Sequence, residues 1–297
     1  MISIIICSRN QTLLNTVTES IKNTIGVPYE IIAIDNSEGK YGICKAYNLG
    51  AANAKFDIFC FMHEDITFET QNWGQNVVNH LKDERVGLIG IAGVDPMGIV
   101  PVFVYKSVGK AEYNYIQSGL ENSQSVHQYL TINKYDTSKI KPVSVIDGVW
   151  MCSTRKVYSQ FKFDEVIFDR FHGYDLDISL QIQTKYKVCV VFDVLLNHLS
   201  PGKDDKIYFD QILKLCHKWK AIFPVSFRKL SKEDLTEYHW LCMDDFFRKI
   251  TSFNYSLSFI LKYYFIFSFN KYFKPKQFIL LFVKIIGKRY FKLKFSR

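Results

Sequence analysis

No Asp or Glu occurs between Phe246 and the last residue, Arg297, although 12 of the chain's 38 Lys and Arg lie there. The first 245 residues are left with 26 basic against 29 acidic side chains, so the whole basic excess belongs to the tail. No window reaches 18 uninterrupted apolar residues, and Lys262 divides the best one, which argues against a spanning helix. No G-x-G-x-x-G follows the first apolar run, which disfavours a dinucleotide oxidoreductase. There is no C-x-x-C pair, repeat, low-complexity tract or Gly/Ser linker. The cysteines, at 7, 44, 60, 152, 189, 216 and 242, are odd in number and several lie inside apolar runs, a pattern that suits buried thiols in a reducing cytoplasm. "MISIIIC" lacks a basic leader and a small-residue cleavage site, so it is expected to begin the mature fold.

What is present fits one large folded domain or one domain with an appendage: 297 residues, 48% of them hydrophobic. "ISIIIC" and "YEIIAID" read as β-strands, and the apolar residues at 13, 14, 17 and 21 between them mark one face of a helix over Gln11 to Thr24. A connection of that length implies parallel strands. A second helix is expected over Ile43 to Ala54, a third strand at "FDIFCFM", and another at "VGLIGIAG". The alternation predicts an α/β sheet that binds a nucleotide-type ligand at the carboxyl ends of its strands. The stretch from Val100 to Lys141 is polar and weakly periodic and reads as loops with short strands. Beyond it, "VSVIDGVWMCS" resumes a strand broken at Asp147-Gly148. Ile178, Ile182 and Tyr186 mark one helical face, and "KVCVVFDVLLNH" is a further strand ending in His198 and a Ser-Pro-Gly turn.

Strand ends and helix starts thus collect Asp35, His63-Glu64-Asp65, Asp147, Asp175 and His198. The trio at 63 to 65 is either an ordinary polar turn or a grip on something charged. Carboxylates and imidazoles from distant parts of a chain are suitable ligands for Mn2+ or a similar divalent ion, which neutralises charge as a diphosphate departs. An Asp in the first turn of a helix is a reasonable general base. Taken singly, each of these residues is more often a turn-former, a cap or a surface group, and Asp177 is expected to face solvent or cap its helix.

Together, "EIIAIDNSEG", "GICKAYNLGAANAKFDIFCFMHED", "FHGYDLDISLQIQTKYKV" and "NHLSPG" resemble the GT-A fold glycosyltransferases of family 2, in the branch with HED in place of DxD. The likeness runs over roughly residues 1 to 205. It implies a Rossmann-like, mostly parallel sheet flanked by helices in a domain of residues 1–245, with a basic aromatic helical extension over 246–297. Asp35 matches the Asp that binds the base of a nucleotide sugar, and Ser8 matches the loop lining the same pocket. Asp65 matches the last acid of DxD and His198 a His added to the metal shell, so these two are the implied ligands of Mn2+ or Mg2+. Asp175 matches the catalytic base of inverting members, with Tyr174 where that motif has Glu. Asn48, His63, Glu64, Asp147 and Gly148 complete the implied nucleotide-sugar surroundings, and Tyr47 stands where family 2 often has Arg.

The implied function is inverting, metal-dependent transfer from a nucleotide sugar, UDP for preference, to a hydroxyl of a glycan or lipid-linked acceptor in bacterial surface polysaccharide synthesis. The alternatives are a nucleotidyltransferase or nucleotide-sugar hydrolase, and a catalytically silent membrane-bound scaffold. In the tail, Phe246, Ile250, Phe253, Leu257, Ile260, Leu261 and Tyr264 recur at helical spacing among basic residues. Such a segment suits an anionic membrane surface, which places the protein in the cytoplasm against the inner face of the cell membrane. Packing on the protein or on a second subunit is the alternative, and nucleic acid comes last.

Overall fold

The computed structural model describes residues 1–100, 111–118, 127–131, 137–200 and 205–291. Parts of the loop region expected between Val100 and Lys141, the Pro-Gly end of the turn after His198 and the last six tail residues lie outside the described residues.

The first β-branched run forms β1 (Ile2–Ser8), buried at every position except the half-buried Cys7, as a strand covered on both faces requires. Asn10 then caps α1 (Gln11–Thr24), its side chain accepting from the Thr12 and Leu13 N–H groups. β2 (Tyr29–Asp35) returns parallel to β1, in a register that places Asp35 beside Ser8. α2 (Ile43–Asn53) lies so close on β1 that a Cβ at Gly50 would stand 2.3 Å from the Ile5 side chain. β3 (Ile58–Met62) pairs parallel on the other side of β1.

The chain continues through β4 (Ile66–Phe68), α3 (Trp73–His80), β5 (Val86–Gly90), β6 (Ala92–Val94), β7 (Ala111–Gln117), β8 (His127–Leu130), β9 (Ile140–Val143), β10 (Val145–Ile146), β11 (Trp150–Thr154) and α4 (Arg155–Tyr158). α5 (Tyr174–Gln183), β12 (Lys187–Val191), β13 (Leu196–His198), α6 (Lys206–Trp219), α7 (Lys232–Ile250), α8 (Leu257–Ser268) and α9 (Pro275–Phe291) complete it. A seven-stranded sheet runs β2-β1-β3-β11-β5-β12-β9, and a six-stranded one runs β10-β6-β7-β13-β4 with β8 on β7. The larger sheet is parallel at β1–β2, β1–β3 and β5–β12, while β11 is antiparallel to both its neighbours.

One stretch that reads as a single strand is divided between the sheets, and another changes sheets at the break expected within it. "VGLIGIAG" passes from β5 in the large sheet to β6 in the small one, and "VSVIDGVWMCS" passes from β10 back to β11. The second crossing falls at Asp147-Gly148, so that dipeptide sits at the seam between the sheets. All seven cysteines are free thiols, and six of them are buried.

The tail continues the helical region without a break at 245/246: α7 runs through both positions, and Phe246 and Phe247 are buried. α8 and α9 pack against α7, with Lys284 of α9 paired to Asp244 at 2.7 Å. Tyr255 reaches α6, its hydroxyl donating to Asp210 at 2.7 Å. The inward face carries Ile260, Tyr264 and Ile285, all fully buried. No helix among the described residues is long and apolar enough to cross a membrane.

Asp177 corrects its expectation. It is only 1% exposed and accepts hydrogen bonds from Trp219 Nε1 at 2.7 Å, Lys218 Nζ at 2.9 Å and Gln181 Nε2 at 2.7 Å. It therefore docks α6 onto α5 from the buried side of the helix, opposite to solvent. Replacing Asp177 with Ala leaves the Trp219 N–H and one Lys218 contact unsatisfied. The expected loss is about 2–3 kcal/mol of stability, measured by urea unfolding of the full chain.

Candidate active site

The carboxyl ends of β1, β2 and β3 form one edge. Ser8 lies beside Asp35, and the chain leaves Met62 directly into His63, whose N–H donates to the Val149 carbonyl at 3.0 Å. From there β4 turns into the small sheet and pairs antiparallel with β13, so that His198 lies opposite Ile66. One more backbone bond, from the Leu199 N–H to the Asp65 carbonyl at 2.8 Å, brings Asp65 to His198. The β7 strand holds β13 from its other side, where the Gln117 amide donates to the His198 carbonyl at 2.8 Å.

These contacts gather His63, Asp65 and His198, whose ligand atoms all lie within 4.8 Å of one another. His198 Nε2 stands 3.4 Å from Asp65 Oδ2, and His63 Nδ1 stands 3.7 Å from Oδ1. The Ser200 hydroxyl donates to Oδ2 as well. Burial acts to raise the Asp65 pKa, but His198, His63 and Ser200 together hold it well below the ordinary carboxylate range. Burial lowers the His63 pKa despite the opposing pull of Asp65, which favours the neutral ring. His198 Nε2 is buried and has no hydrogen-bond partner among the described residues.

An ionised carboxylate, a neutral imidazole and an orphaned imidazole nitrogen are a donor set that suits a divalent metal ion. The residues present therefore fit such an ion, with Asp65, His198 and His63 as the side chains that would hold it. Tyr174 supports the arrangement, its hydroxyl 2.9 Å from His63 Nε2. When Nε2–H donates to that oxygen, the Nδ1 lone pair is the one that faces Asp65. Gly148 makes room for this tyrosine, because a Cβ there would lie 2.1 Å from the Tyr174 hydroxyl.

Glu64 points the other way. Its carboxylate accepts from the Ser8 hydroxyl at 2.7 Å and from the Arg9 and Asn10 N–H groups, each at 3.1 Å. It clamps the β1–α1 loop and sits where the N-terminal end of α1 favours negative charge. Asp35 is exposed at the edge, and the N–H and hydroxyl of Ser37 keep its carboxyl below the usual range. Asn48 is engaged elsewhere: its amide donates to Phe163 O at 3.0 Å and Glu165 at 2.7 Å, and accepts from Tyr158.

Asp175 opens α5 after Gly173, whose φ of 82° lies in the left-handed region open to glycine. It accepts from the Gly148 N–H at 3.0 Å, at the seam between the sheets. Burial, with Asp147 close by, pushes its pKa up to about 7. Asp147 itself accepts from the Val149 N–H at 2.9 Å. Tyr47 is fully buried and packs its ring 5.8 Å from that of Tyr174. Three residues next to the cluster carried no role in the sequence reading: Ser200, Phe171, whose exposed ring lies 5.3 Å from that of His63, and Tyr174 as the partner of His63. Only the position of Tyr174 directly before Asp175 offered a signal.

The seven-stranded mixed sheet and the smaller second sheet match a GT-A fold. The structure of GalNAc-T7 with UDP, GalNAc and Mn2+ shares it, with a TM-score of 0.53 and 12% identity over 98% of this chain and 58% of that one. The present chain thus spans little more than half the length of that protein. No curated protein matches the sequence. The family model described as "Glycosyltransferase like family" matches residues 3–208, and the chain belongs to that family.

Removing a holder tests the cluster directly. His198→Ala and Asp65→Ala are each expected to weaken Mn2+ binding by more than about 100-fold, and Tyr174→Phe by about 10-fold through loss of ring orientation. Calorimetric titration of Mn2+ into the folded variants reads all three.

Proposed function

We propose that this protein is an inverting, Mn2+- or Mg2+-dependent glycosyltransferase. It takes a sugar from a nucleotide diphosphate donor, UDP for preference, to a hydroxyl of a glycan or lipid-linked acceptor in the synthesis of a bacterial surface polysaccharide. The observation that carries the reading is the convergence of Asp65, His63 and His198, the last with an orphaned Nε2, on the strand edge that also bears Ser8 and Asp35. Membership of a glycosyltransferase-like family supports it, as does likeness to a fold solved with UDP and Mn2+.

In this reading the nucleotide lies over the edge at Ser8 and Asp35, with Asp35 accepting from the base. Glu64 keeps the β1–α1 loop in place beneath it. A divalent cation held at the cluster supplies positive charge against the leaving diphosphate. Asp175 takes the proton of the acceptor hydroxyl as that oxygen attacks the anomeric carbon from the face opposite the diphosphate, and inversion follows. The Gly148 N–H fixes the orientation of the Asp175 carboxylate, and the elevated pKa keeps it basic enough to accept a proton near neutrality.

Asp175 works as the base in its ionised form. Below a pKa of about 7, kcat/KM is therefore expected to fall roughly 10-fold per pH unit, and above it to level off. Asp175→Asn should abolish transfer while donor binding, read by the thermal shift with nucleotide sugar and Mn2+, stays largely intact. Retained turnover in that variant overturns the assignment of the base. Turnover that is indifferent to acceptor overturns the transferase reading itself.

The tail adds a place to the chemistry. Phe265, Ile266, Phe269, Ile279, Leu280 and Val283 are exposed on or beside α8 and α9, in a segment rich in Lys and free of acids. This surface suits the headgroup region of an anionic membrane, which supports a peripheral position of the enzyme at its cytoplasmic face. Flotation with anionic vesicles should carry the full chain upward, and Ile279→Glu with Val283→Glu should leave it behind. Equal flotation of both proteins overturns the surface.

A further inference from the structure

A cavity of about 950 Å³ lies between α6, α8 and the catalytic part of the chain. None of His63, Asp65, Asp175 and His198 lines it, so it is separate from the site above. Phe223, Phe259, Ile266 and Phe267 contribute apolar wall, and Lys214, Lys218, Lys220 and Lys262 stand around it.

The lysines are not equivalent. Lys214 is committed to Asp169 at 2.8 Å, and Lys218 to Asp164 at 2.7 Å and Asp177 at 2.8 Å. The acid in the lining, Asp210, is engaged by Lys206 and Tyr255. Lys220 and Lys262 have no acidic partner among the described residues, and both are exposed. The cavity therefore joins an apolar wall to two cations that nothing in the described chain neutralises. An inorganic anion would satisfy the lysines and leave the apolar wall wet. A neutral hydrocarbon would fill the wall and leave the charges unanswered. A single molecule answers both demands when it carries a long apolar chain and an anionic head.

We propose that this cavity binds one anionic lipid, its chain against Phe223, Phe259, Ile266 and Phe267 and its phosphate head met by Lys220 and Lys262. Ile266 belongs both to the cavity wall and to the exposed apolar face of α8, which gives a chain drawn from a bilayer a continuous apolar path inward. The proposal does not depend on sugar transfer, since it uses none of the residues assigned to that chemistry.

The test uses the full chain and dodecyl phosphate below its micellar concentration, followed by calorimetry. One saturable site is expected, with no heat from inorganic phosphate and at least about 10-fold weaker binding of a neutral dodecyl maltoside. Lys220→Glu with Lys262→Glu should weaken dodecyl phosphate at least about 10-fold. Both changes fall on exposed side chains, so the variant is expected to fold as the full chain does. Absence of a saturable site, equal affinity in the double variant, or equal binding of the neutral amphiphile overturns the proposal. Mn2+ and nucleotide-sugar binding measured on the same variant should be unchanged, which separates failure here from failure of the transferase reading.

Discussion

The three-residue antiparallel pairing of β4 with β13 is the constraint on which the site depends. It is short, yet it alone carries Asp65 to His198 across the interval between them. Its register is held on both sides, by the Leu199 bond to Asp65 O and by the β7 contacts to the His198 carbonyl. A slip of one residue would send His198 to the opposite face of the small sheet, and no ligand pair would remain. The small sheet is therefore more than an appendage of the large one. Its function is to set the register at which a carboxylate and an imidazole meet.

The same geometry divides the labour within His63-Glu64-Asp65. The tripeptide is the bend between β3 and β4, and its side chains part at that bend. His63 and Asp65 share the side facing His198, and Glu64 takes the other, where the N–H groups of Arg9 and Asn10 await an anion. A polar turn and a charged grip are thus both present in one tripeptide. Tyr174 and Gly148 extend this coupling to Asp175, the proposed base. The hydroxyl that orients His63 requires a glycine beneath it, and the N–H of that glycine orients Asp175. At the position where the resemblance expects Glu, Tyr174 thus serves as a support for the cluster.

Much of this was legible in the sequence. The β-branched runs and the helical face between them place β1, α1 and β2 within a residue of where they stand, because each buried strand or amphipathic helix writes its own period. The likeness of HED and NHLSPG to a known pattern singled out Asp65 and His198, which the structure brings together with His63. What stayed hidden is what depends on partners distant in sequence. Nothing in "VGLIGIAG" says that the chain changes sheets midway, since both its halves are equally apolar, and the break legible at Asp147-Gly148 does not say that the strands on its two sides join different sheets. Asp177 reads as a surface acid because its neutralising partners, Lys218 and Trp219, come from another helix. Asn48 reads as a site residue by position, while its hydrogen bonds are spent on the segment from Tyr158 to Glu165.

The tail has to satisfy two requirements that a single helical period cannot describe. One face of α8 and α9 must be apolar enough to bury Ile260, Tyr264 and Ile285 against the rest of the chain. The outer face is apolar too, at Phe265, Ile266, Phe269, Ile279, Leu280 and Val283, and an apolar outer face is unfavourable in water unless something covers it. Lysines interspersed on that segment, which has no acid of its own, narrow what the cover can be. A second copy of the same surface would bring like charges together, and an acidic protein would answer the charge without matching so many aromatic and aliphatic side chains. A sheet of anionic headgroups over hydrocarbon matches both properties at once, and it does so without asking either face of the helices to change.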